Sequence, residues 1–183
     1  MAFDRDQVLR SAAALLTRKA TATMDEVAKA AGISRATLHR HFAGRDALVR
    51  ALESLGIAEC EAALEAARLD EGPVSDAVRR LVRAIEPAAA LLGFLYTENQ
   101  LFEGEQQNEG WTRIDERVAA LFRRGQETGE FRIDLTPAWL TDALYGLLAS
   151  AAWAVSEGRV APKDFTHMVT ELLLGGALRR EES

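Results

Sequence analysis

Apolar residues recur at every third or fourth position through most of this 183-residue chain, a spacing typical of amphipathic α-helices. The strict alternation of apolar and polar residues that marks β-strands is not seen, and neither are internal repeats or low-complexity tracts. Glycine, proline and capping residues interrupt the apolar pattern where helices should begin and end. The sequence therefore predicts an all-α fold of about nine helices.

The predicted helices are bounded by these interruptions. They cover residues 3–18, 23–32, 34–41, 45–67, 75–87, 88–102, 111–127, 137–157 and 163–180. Asp4, Ser75 and Thr136 are the expected N-caps of the helices that follow them. Residues 131–135 are expected to form an extended connector. The long helix at 45–67 should join an N-terminal module, residues 1–50, to a larger domain, residues 51–183.

The segment from Thr23 to Leu48 has the pattern of two short helices separated by a tight turn. Thr23 and Glu26 form a T-x-x-E capping box, and Gly32 and Ser34 mark the turn and the start of the next helix. A helix of two turns is not stable alone, so its neighbours must support it. Its outward side chains are small, polar and basic, namely Arg35, Ala36, Thr37, His39 and Arg40. The segment is therefore predicted to be a helix-turn-helix.

These residues resemble the N-terminal DNA-binding region of the TetR family of transcriptional regulators. The resemblance rests on V-A-x-x-A-G-I-S across the turn, A-T-L-H-R-H-F on the second short helix, and G-R-D-A-L at the start of the next helix. It covers about the first 50 residues. His39 stands where the family usually has a tyrosine that reaches a phosphate. The resemblance implies a dimer built from the last two helices, and a pocket among the central helices whose ligand weakens DNA binding.

The predicted recognition helix would lie in the major groove of DNA. Arg35 is the expected base-reading residue, because a guanidinium can bond both O6 and N7 of guanine, and Ala36 could approach a thymine methyl. The remaining polar residues are expected to hold phosphates, namely Thr23, Ser34, Thr37, His39, Arg40 and Arg45. Two such modules on a dimer predict a near-palindromic operator in double-stranded DNA. The alternative is a solvated basic surface that binds nothing.

Charge is distributed unevenly along the chain, whose formal net charge is −6. Residues 1–50 carry nine Lys and Arg against five Asp and Glu, a net charge of +4, whereas residues 51–183 carry −10. A DNA duplex would attract one end and repel the other. Because +4 is modest, a single copy should bind DNA weakly and in a salt-sensitive manner.

The last two long helices carry apolar stripes wider than a single core contact requires. Pairing with a second copy would bury them as a four-helix bundle, which predicts a homodimer. The candidate interface residues are Leu144, Leu147, Leu148, Ala151, Leu172, Leu173 and Gly176. The alternative is that the stripes are buried entirely within one subunit.

Large or polar residues on otherwise apolar central helices are candidates to line the implied pocket. They are Tyr96, Asn99, Phe102, Trp111, Tyr145 and Met168. Each of them could instead be an ordinary core or surface residue. The effector itself is an unknown small molecule.

Catalysis and metal binding find little support in the sequence. No H-E-x-x-H, paired-cysteine or P-loop pattern is present, so we expect no enzyme activity, no metal site and no cofactor. The single cysteine, Cys60, is expected to be a small buried hydrophobe and suits a reducing compartment. Charged residues interrupt the start of the chain and Asp142 interrupts the longest apolar run. We therefore expect no signal peptide, no membrane partner and a cytoplasmic protein.

These observations predict a homodimeric DNA-binding transcriptional regulator, a repressor released from its operator by a small-molecule effector. An activator or a ligandless regulator of the same fold is one alternative. An all-α protein-interaction module, whose N-terminal helices bind protein, is the other.

Overall fold

The computed structural model describes residues 4–98 and 108–179 of the chain. Within these ranges it contains nine α-helices and a single isolated antiparallel bridge between Phe131 and Leu178, which confirms the predicted all-α fold. The helices are α1 (Arg5–Arg18), α2 (Met24–Ala30), α3 (Arg35–His41), α4 (Arg45–Ala67), α5 (Val74–Ile85), α6 (Ala89–Glu98), α7 (Glu109–Glu127), α8 (Pro137–Ser156) and α9 (Phe165–Ala177). Short 3₁₀ turns precede α6 at Glu86–Ala88 and α9 at Pro162–Asp164.

Several helix starts were predicted correctly because their capping residues act locally. The side chains of Asp4, Thr23, Ser34 and Thr136 each accept a hydrogen bond from a backbone N–H in the first turn that follows. The predicted cap at Ser75 is wrong, since α5 begins at Val74 after Pro73.

A carboxylate distant in sequence caps α5 instead. Glu130 accepts hydrogen bonds from the backbone N–H of Val74 at 2.9 Å and of Ser75 at 3.2 Å. Partial burial raises the pKa of Glu130, but these backbone bonds, with a smaller contribution from Arg124, leave it below its usual value. The connector between α7 and α8 therefore stabilises the N-terminus of α5.

The first hydrophobic cluster holds together residues 4–52, which we call the head. Its fully buried side chains include Leu9, Leu16, Leu38, Phe42 and Leu48. Helix α6 lies against this cluster and contributes three buried residues, namely Leu91, Phe94 and Leu95. The hydroxyl of Thr17 on α1 also donates a hydrogen bond to the carbonyl of Ala90, at 2.9 Å.

The second cluster lies in residues 53–98 and 108–179, which we call the body. It joins the C-terminal half of α4 to α5, α7, α8 and α9. Phe131, in the predicted connector, is fully buried, and its ring lies so close to Gly125 that a Cβ there would be 2.5 Å from Cδ2 of the ring. Gly125 is thus a packing site within α7, while Gly129, with φ of +76°, follows the end of the helix.

Helix α9 is shorter than the predicted 163–180. Beyond Ala177 the described chain leaves the helix and pairs with the connector. The N–H of Arg132 donates to the carbonyl of Ala177 at 3.0 Å, and the N–H of Arg179 donates to the backbone carbonyl of Glu130 at 2.9 Å.

Helix α8 is long and apolar enough to cross a membrane by length and composition, with 20 residues and a mean hydropathy of 1.2 over 18 of them. The core helix of a globular domain can be equally long and apolar. One side of α8 packs against α6, α7 and α9, and this packing accounts for the apolar residues on that side.

Candidate DNA-binding surface and effector cavity

The head presents α3 with its polar side outward. Leu38 and Phe42 are buried in the head cluster, and the half-buried Ile33 packs against the same cluster. Gly32, with φ of +67°, makes the turn between α2 and α3. Arg35, Ala36, His39 and Arg40 are exposed and Thr37 is half-buried. The predicted helix-turn-helix is therefore present in the form expected from the sequence.

Arg35 is held by an acidic residue of the preceding helix. Its Nε lies 3.0 Å from Oδ1 of Asp25, and an Nη atom donates to Oδ2 at 3.2 Å. Both side chains are more than half exposed, so the pair contributes little to stability. It does place the guanidinium that was predicted to read bases beside Asp25, a partner that the sequence did not indicate.

The hydroxyl groups predicted to hold phosphates are engaged in helix caps. Ser34 Oγ accepts from the N–H of Thr37 at 3.0 Å and lies 2.9 Å from the hydroxyl of Thr37. Thr23 and Glu26 complete the predicted capping box. The Nζ of Lys19 lies 2.6 Å from Oε1 of Glu26. This contact, together with the hydrogen bond from the backbone N–H of Thr23, lowers the pKa of the Glu26 carboxyl to about 2.

Arg45 lies at the junction of head and body. Its guanidinium donates to the carbonyls of Ala20 at 2.8 Å and Ala22 at 3.3 Å, and to Oε1 of Glu98 at 3.4 Å. Glu98 is a buried carboxylate in the last turn of α6. Arg45 therefore connects α4 and the loop before α2 to α6, a role that the sequence did not predict. Its predicted phosphate contact stays a prediction.

A cavity of about 350 Å³ lies between α4, α5, α6, α7 and α8. Three of the predicted lining residues, Tyr96, Trp111 and Tyr145, do line it. Met168 does not, because it is exposed on α9, and that prediction is wrong. Asn99 and Phe102 lie outside the described residues.

The ionisable groups that line this cavity were not predicted from the sequence. Asp115, Asp142 and Cys60 all line it. The hydroxyl of Tyr145 donates to Oδ1 of Asp115 at 2.8 Å, and burial, followed by the charge of Asp115, raises the pKa of this tyrosine. Burial likewise raises the pKa of Cys60 to about 12, so its thiol stays protonated. Helical spacing gave one usable signal, since Asp115 lies four residues after Trp111 and so on the same side of α7.

The outer side of α8 and α9 is apolar and exposed. Six large apolar side chains are exposed within the described ranges, and four of them, Trp139, Trp153, Met168 and Leu172, belong to these two helices. A Cβ added at Gly175 or Gly176 would meet nothing within 4 Å. We call this surface the α8–α9 face.

Three of the predicted interface residues are corrected by burial inside the subunit. Leu144, Leu148 and Leu173 are at most 4 % exposed, because they point toward the body cluster, and the first two line the cavity. Leu147 and Ala151 are half-buried, while Leu172 and Gly176 are exposed. The apolar stripe is therefore shared between the subunit core and an exposed face.

A supported helix-turn-helix with a basic outer side, joined to an all-α body that contains a cavity, defines the class of DNA-binding regulators. Comparison with known proteins agrees with this class. A model of the bacterial regulatory proteins of the tetR family matches residues 8–52, and one of the tetracyclin repressor-like C-terminal domain matches residues 73–177.

Full-length relatives and solved structures extend the match. The chain is 32% identical over 174 residues to the HTH-type transcriptional regulator NfxB of Pseudomonas aeruginosa, which covers 94% of this chain and 93% of the relative. It is 26% identical over 171 residues to the HTH-type transcriptional repressor LfrR of Mycolicibacterium smegmatis, covering 93% and 89%. The crystal structure of LfrR in complex with proflavine matches with a TM-score of 0.73 and 24% identity, covering 96% of this chain and 97% of that one.

The protein belongs to the TetR family of transcriptional regulators. It is a DNA-binding regulator of transcription and not an enzyme.

Proposed function

We propose that the protein is a homodimeric repressor that binds a near-palindromic operator and is released by a small-molecule effector. The observation that carries the dimer is the α8–α9 face. Its exposed Trp139, Trp153 and Leu172 would leave an apolar patch in contact with water if the chain were a monomer. The open space over Gly175 and Gly176 would let a second copy approach closely.

We assign DNA recognition to α3 of each subunit. Arg35 would read a base and Ala36 a thymine methyl, while Thr23, Ser34, Thr37, His39, Arg40 and Arg45 would hold phosphates. Helix N-termini support phosphate contacts at Thr23 and Ser34, because the first backbone N–H groups of α2 and α3 lie beside them. To reach a base, Arg35 must leave Asp25 or share its guanidinium with it.

Release by an effector is supported by the position of α6 between cavity and head. Leu95 lines the cavity and also belongs to the head cluster, so one side chain contacts both regions. An effector that fits the cavity best when α6 is displaced would shift the head as well. LfrR was crystallised with proflavine, which supports a small-molecule ligand for a relative of this chain. We also propose that the protein is cytoplasmic and that the DNA-binding domain comprises residues 1–50, followed by an effector-binding and dimerisation domain at residues 51–183.

The test begins with the operator. Fragments retained by the purified protein from random DNA should share a near-palindrome, and affinity for it should fall steeply as salt concentration rises. Arg35→Ala should lower operator affinity by about tenfold and relax the sequence preference at one position of each half-site, since a bidentate base contact contributes about 1–3 kcal/mol.

Arg113→Ala is the matched control for this variant. Arg113 is a similarly exposed arginine whose Nη2 lies 3.0 Å from Glu61 in the body. Its loss should leave operator affinity unchanged. Failure to retain any DNA fragment would refute the proposed function, and an Arg35→Ala variant with unchanged preference would refute only the base-reading assignment.

A further inference from the structure

The cavity walls have a distinctive chemical composition. Most of the lining is aliphatic, contributed by residues such as Leu64, Ile85 and Val118. Three large aromatic side chains, Tyr96, Trp111 and Tyr145, complete it. Its volume of about 350 Å³ is at the lower end of the range for small-molecule sites. An apolar ligand body of modest size, with a ring system, would match these walls.

The charged groups of the lining are all acidic. Asp115 and Asp142 line the cavity, and no Lys, Arg or His is found among the described lining residues. Asp142 is exposed, whereas Asp115 is half-buried, so the two carboxylates lie at different depths. Negative charge in a largely apolar cavity attracts a cationic ligand and repels an anionic one, more strongly than in bulk water.

Hydrogen bonds hold the polar side of the cavity in one arrangement. Tyr145 donates its hydroxyl hydrogen to Oδ1 of Asp115, which orients that carboxylate. The indole N–H of Trp111 donates to Oε1 of Glu53 on α4, at 3.1 Å, which fixes the indole ring. An indole ring held next to acidic groups also attracts a cation through its π-face.

We infer that this cavity binds an organic cation with an aromatic body, with Asp115 and Asp142 as the counter-charges. This inference rests on the proposed effector function and names the chemical class of the effector. The aliphatic walls and aromatic side chains would bury the ring system. A carboxylate ligand, such as a fatty acid, would meet like charges on both aspartates.

The experiment compares two probes of nearly the same shape but different charge. They are 10-methylacridinium, a permanent cation, and acridine, which is neutral at pH 8. Binding to the full-length protein is measured by titration calorimetry in the absence of DNA. We expect the cation to bind at least about tenfold more tightly than the neutral probe, because each 1.4 kcal/mol of charge interaction is a factor of ten.

Removing the charge of each aspartate in turn tests which of them causes the preference for the cationic probe. Asp115→Asn and Asp142→Asn should each weaken binding of the cation by about tenfold and leave acridine binding unchanged. The Asn side chain at 115 still offers an oxygen to the Tyr145 hydroxyl, so the wall should keep its shape. Glu116→Gln is the matched control. Glu116 is exposed, adjacent to Asp115 on α7 and absent from the lining, and its loss should leave both affinities unchanged.

Several results would overturn the inference. These are equal affinity for the two probes, binding of neither probe, equal losses in the Glu116→Gln control, or tighter binding of dodecanoate than of the cation. The probe comparison on the unaltered protein stands even if a variant fails to fold. If the cation binds as expected but leaves the operator complex intact, effector release fails while the ligand class holds. If only a neutral or anionic compound released the operator, effector release would hold and the cationic ligand class would fail.

Discussion

Head and body place their functional groups in opposite settings. In the head they lie on the exposed side of a seven-residue helix, and the Arg35 side chain is 68 % exposed. In the body they surround a cavity between five helices, where Tyr145 and Asp115 are partly buried. Exposed groups in water interact weakly until a partner excludes solvent, whereas groups in a cavity are already partly desolvated. The proposed contacts of the head would therefore form only with DNA in place, whereas the cavity of the body is present without a ligand.

The two regions are nevertheless joined through shared helices. Helix α4 runs from the head into the body over 23 residues, and α6 adds Leu91, Phe94 and Leu95 to the head cluster. The division into head and body is therefore a division of function more than of packing. Substitutions at the shared helices and at each region's own contacts show how far the two regions are independent.

Removing one of the three α6 side chains that are buried in the head cluster should destabilise the whole molecule. Phe94→Ala should lower the free energy of unfolding by about 3–5 kcal/mol, since it leaves a cavity at a residue only 1 % exposed. Phe122→Ala is the body counterpart at a fully buried residue. All three tryptophans, Trp111, Trp139 and Trp153, lie in the body. Denaturation should therefore be followed by tryptophan fluorescence and by circular dichroism.

We expect the two signals to coincide for both variants, because α4 and α6 contribute to both regions. If circular dichroism changed well before fluorescence in Phe94→Ala, the head would be an independently unfolding unit and the shared-helix interpretation would be wrong.

A charge on the α8–α9 face should separate the subunits without disturbing the fold. Leu172 is 68 % exposed, so Leu172→Glu costs little in an isolated subunit but would bury an unpaired carboxylate in the dimer. Operator affinity should fall by about a hundredfold, because one head binds weakly by itself. Sedimentation velocity and gel-shift titration measure the two effects. Ile133→Glu, at a residue 83 % exposed and outside this face, should change neither.

The Arg45–Glu98 pair separates the structural role of Arg45 from its predicted phosphate contact. Arg45→Ala leaves the buried Glu98 without this partner and should cost about 1–2 kcal/mol of stability. If Arg45 also holds a phosphate, the same variant should make the slope of log affinity against log salt concentration shallower by about one unit. Glu98→Gln removes the pair but keeps Arg45, so the salt dependence should not fall. Identical salt slopes in the wild type and in Arg45→Ala would assign Arg45 to head–body packing only.

The smallest effect concerns the body alone. Glu130→Ala should destabilise the protein by about 1 kcal/mol, as loss of a helix cap does. The pKa of Glu130 is lowered in the folded protein, so its contribution is present above the usual carboxyl pKa and is lost as pH falls through the lowered value. The difference in stability between wild type and variant should thus shrink in acid. Glu127→Gln, at an exposed neighbour, should leave the free energy of unfolding unchanged.

Structure could be predicted from the sequence most accurately where the relevant interactions are local. The caps at Thr23 and Ser34, the turn at Gly32 and the full extent of α4 all depend on residues within one or two turns of each other. It was less accurate where a distant residue replaces a local one. Ser75 was predicted to cap α5, but the N–H groups at the start of this helix donate to Glu130, which lies 55 residues after Ser75 in the chain. Periodicity marked α8 and α9 as apolar on more than one side but did not show which side faces the core, so Leu144, Leu148 and Leu173 were assigned to the wrong surface.

The helical class, the helix-turn-helix and the opposite charges of the two ends could be predicted from the sequence, because periodicity, capping and charge are properties of neighbouring residues. Packing was needed to show that one cavity is lined by Asp115, Asp142, Trp111 and Tyr145, that Arg35 pairs with Asp25, and that Arg45 pairs with Glu98. A cavity and an ion pair are relations between helices, and they exist only once packing has fixed the rotation of each helix about its own axis.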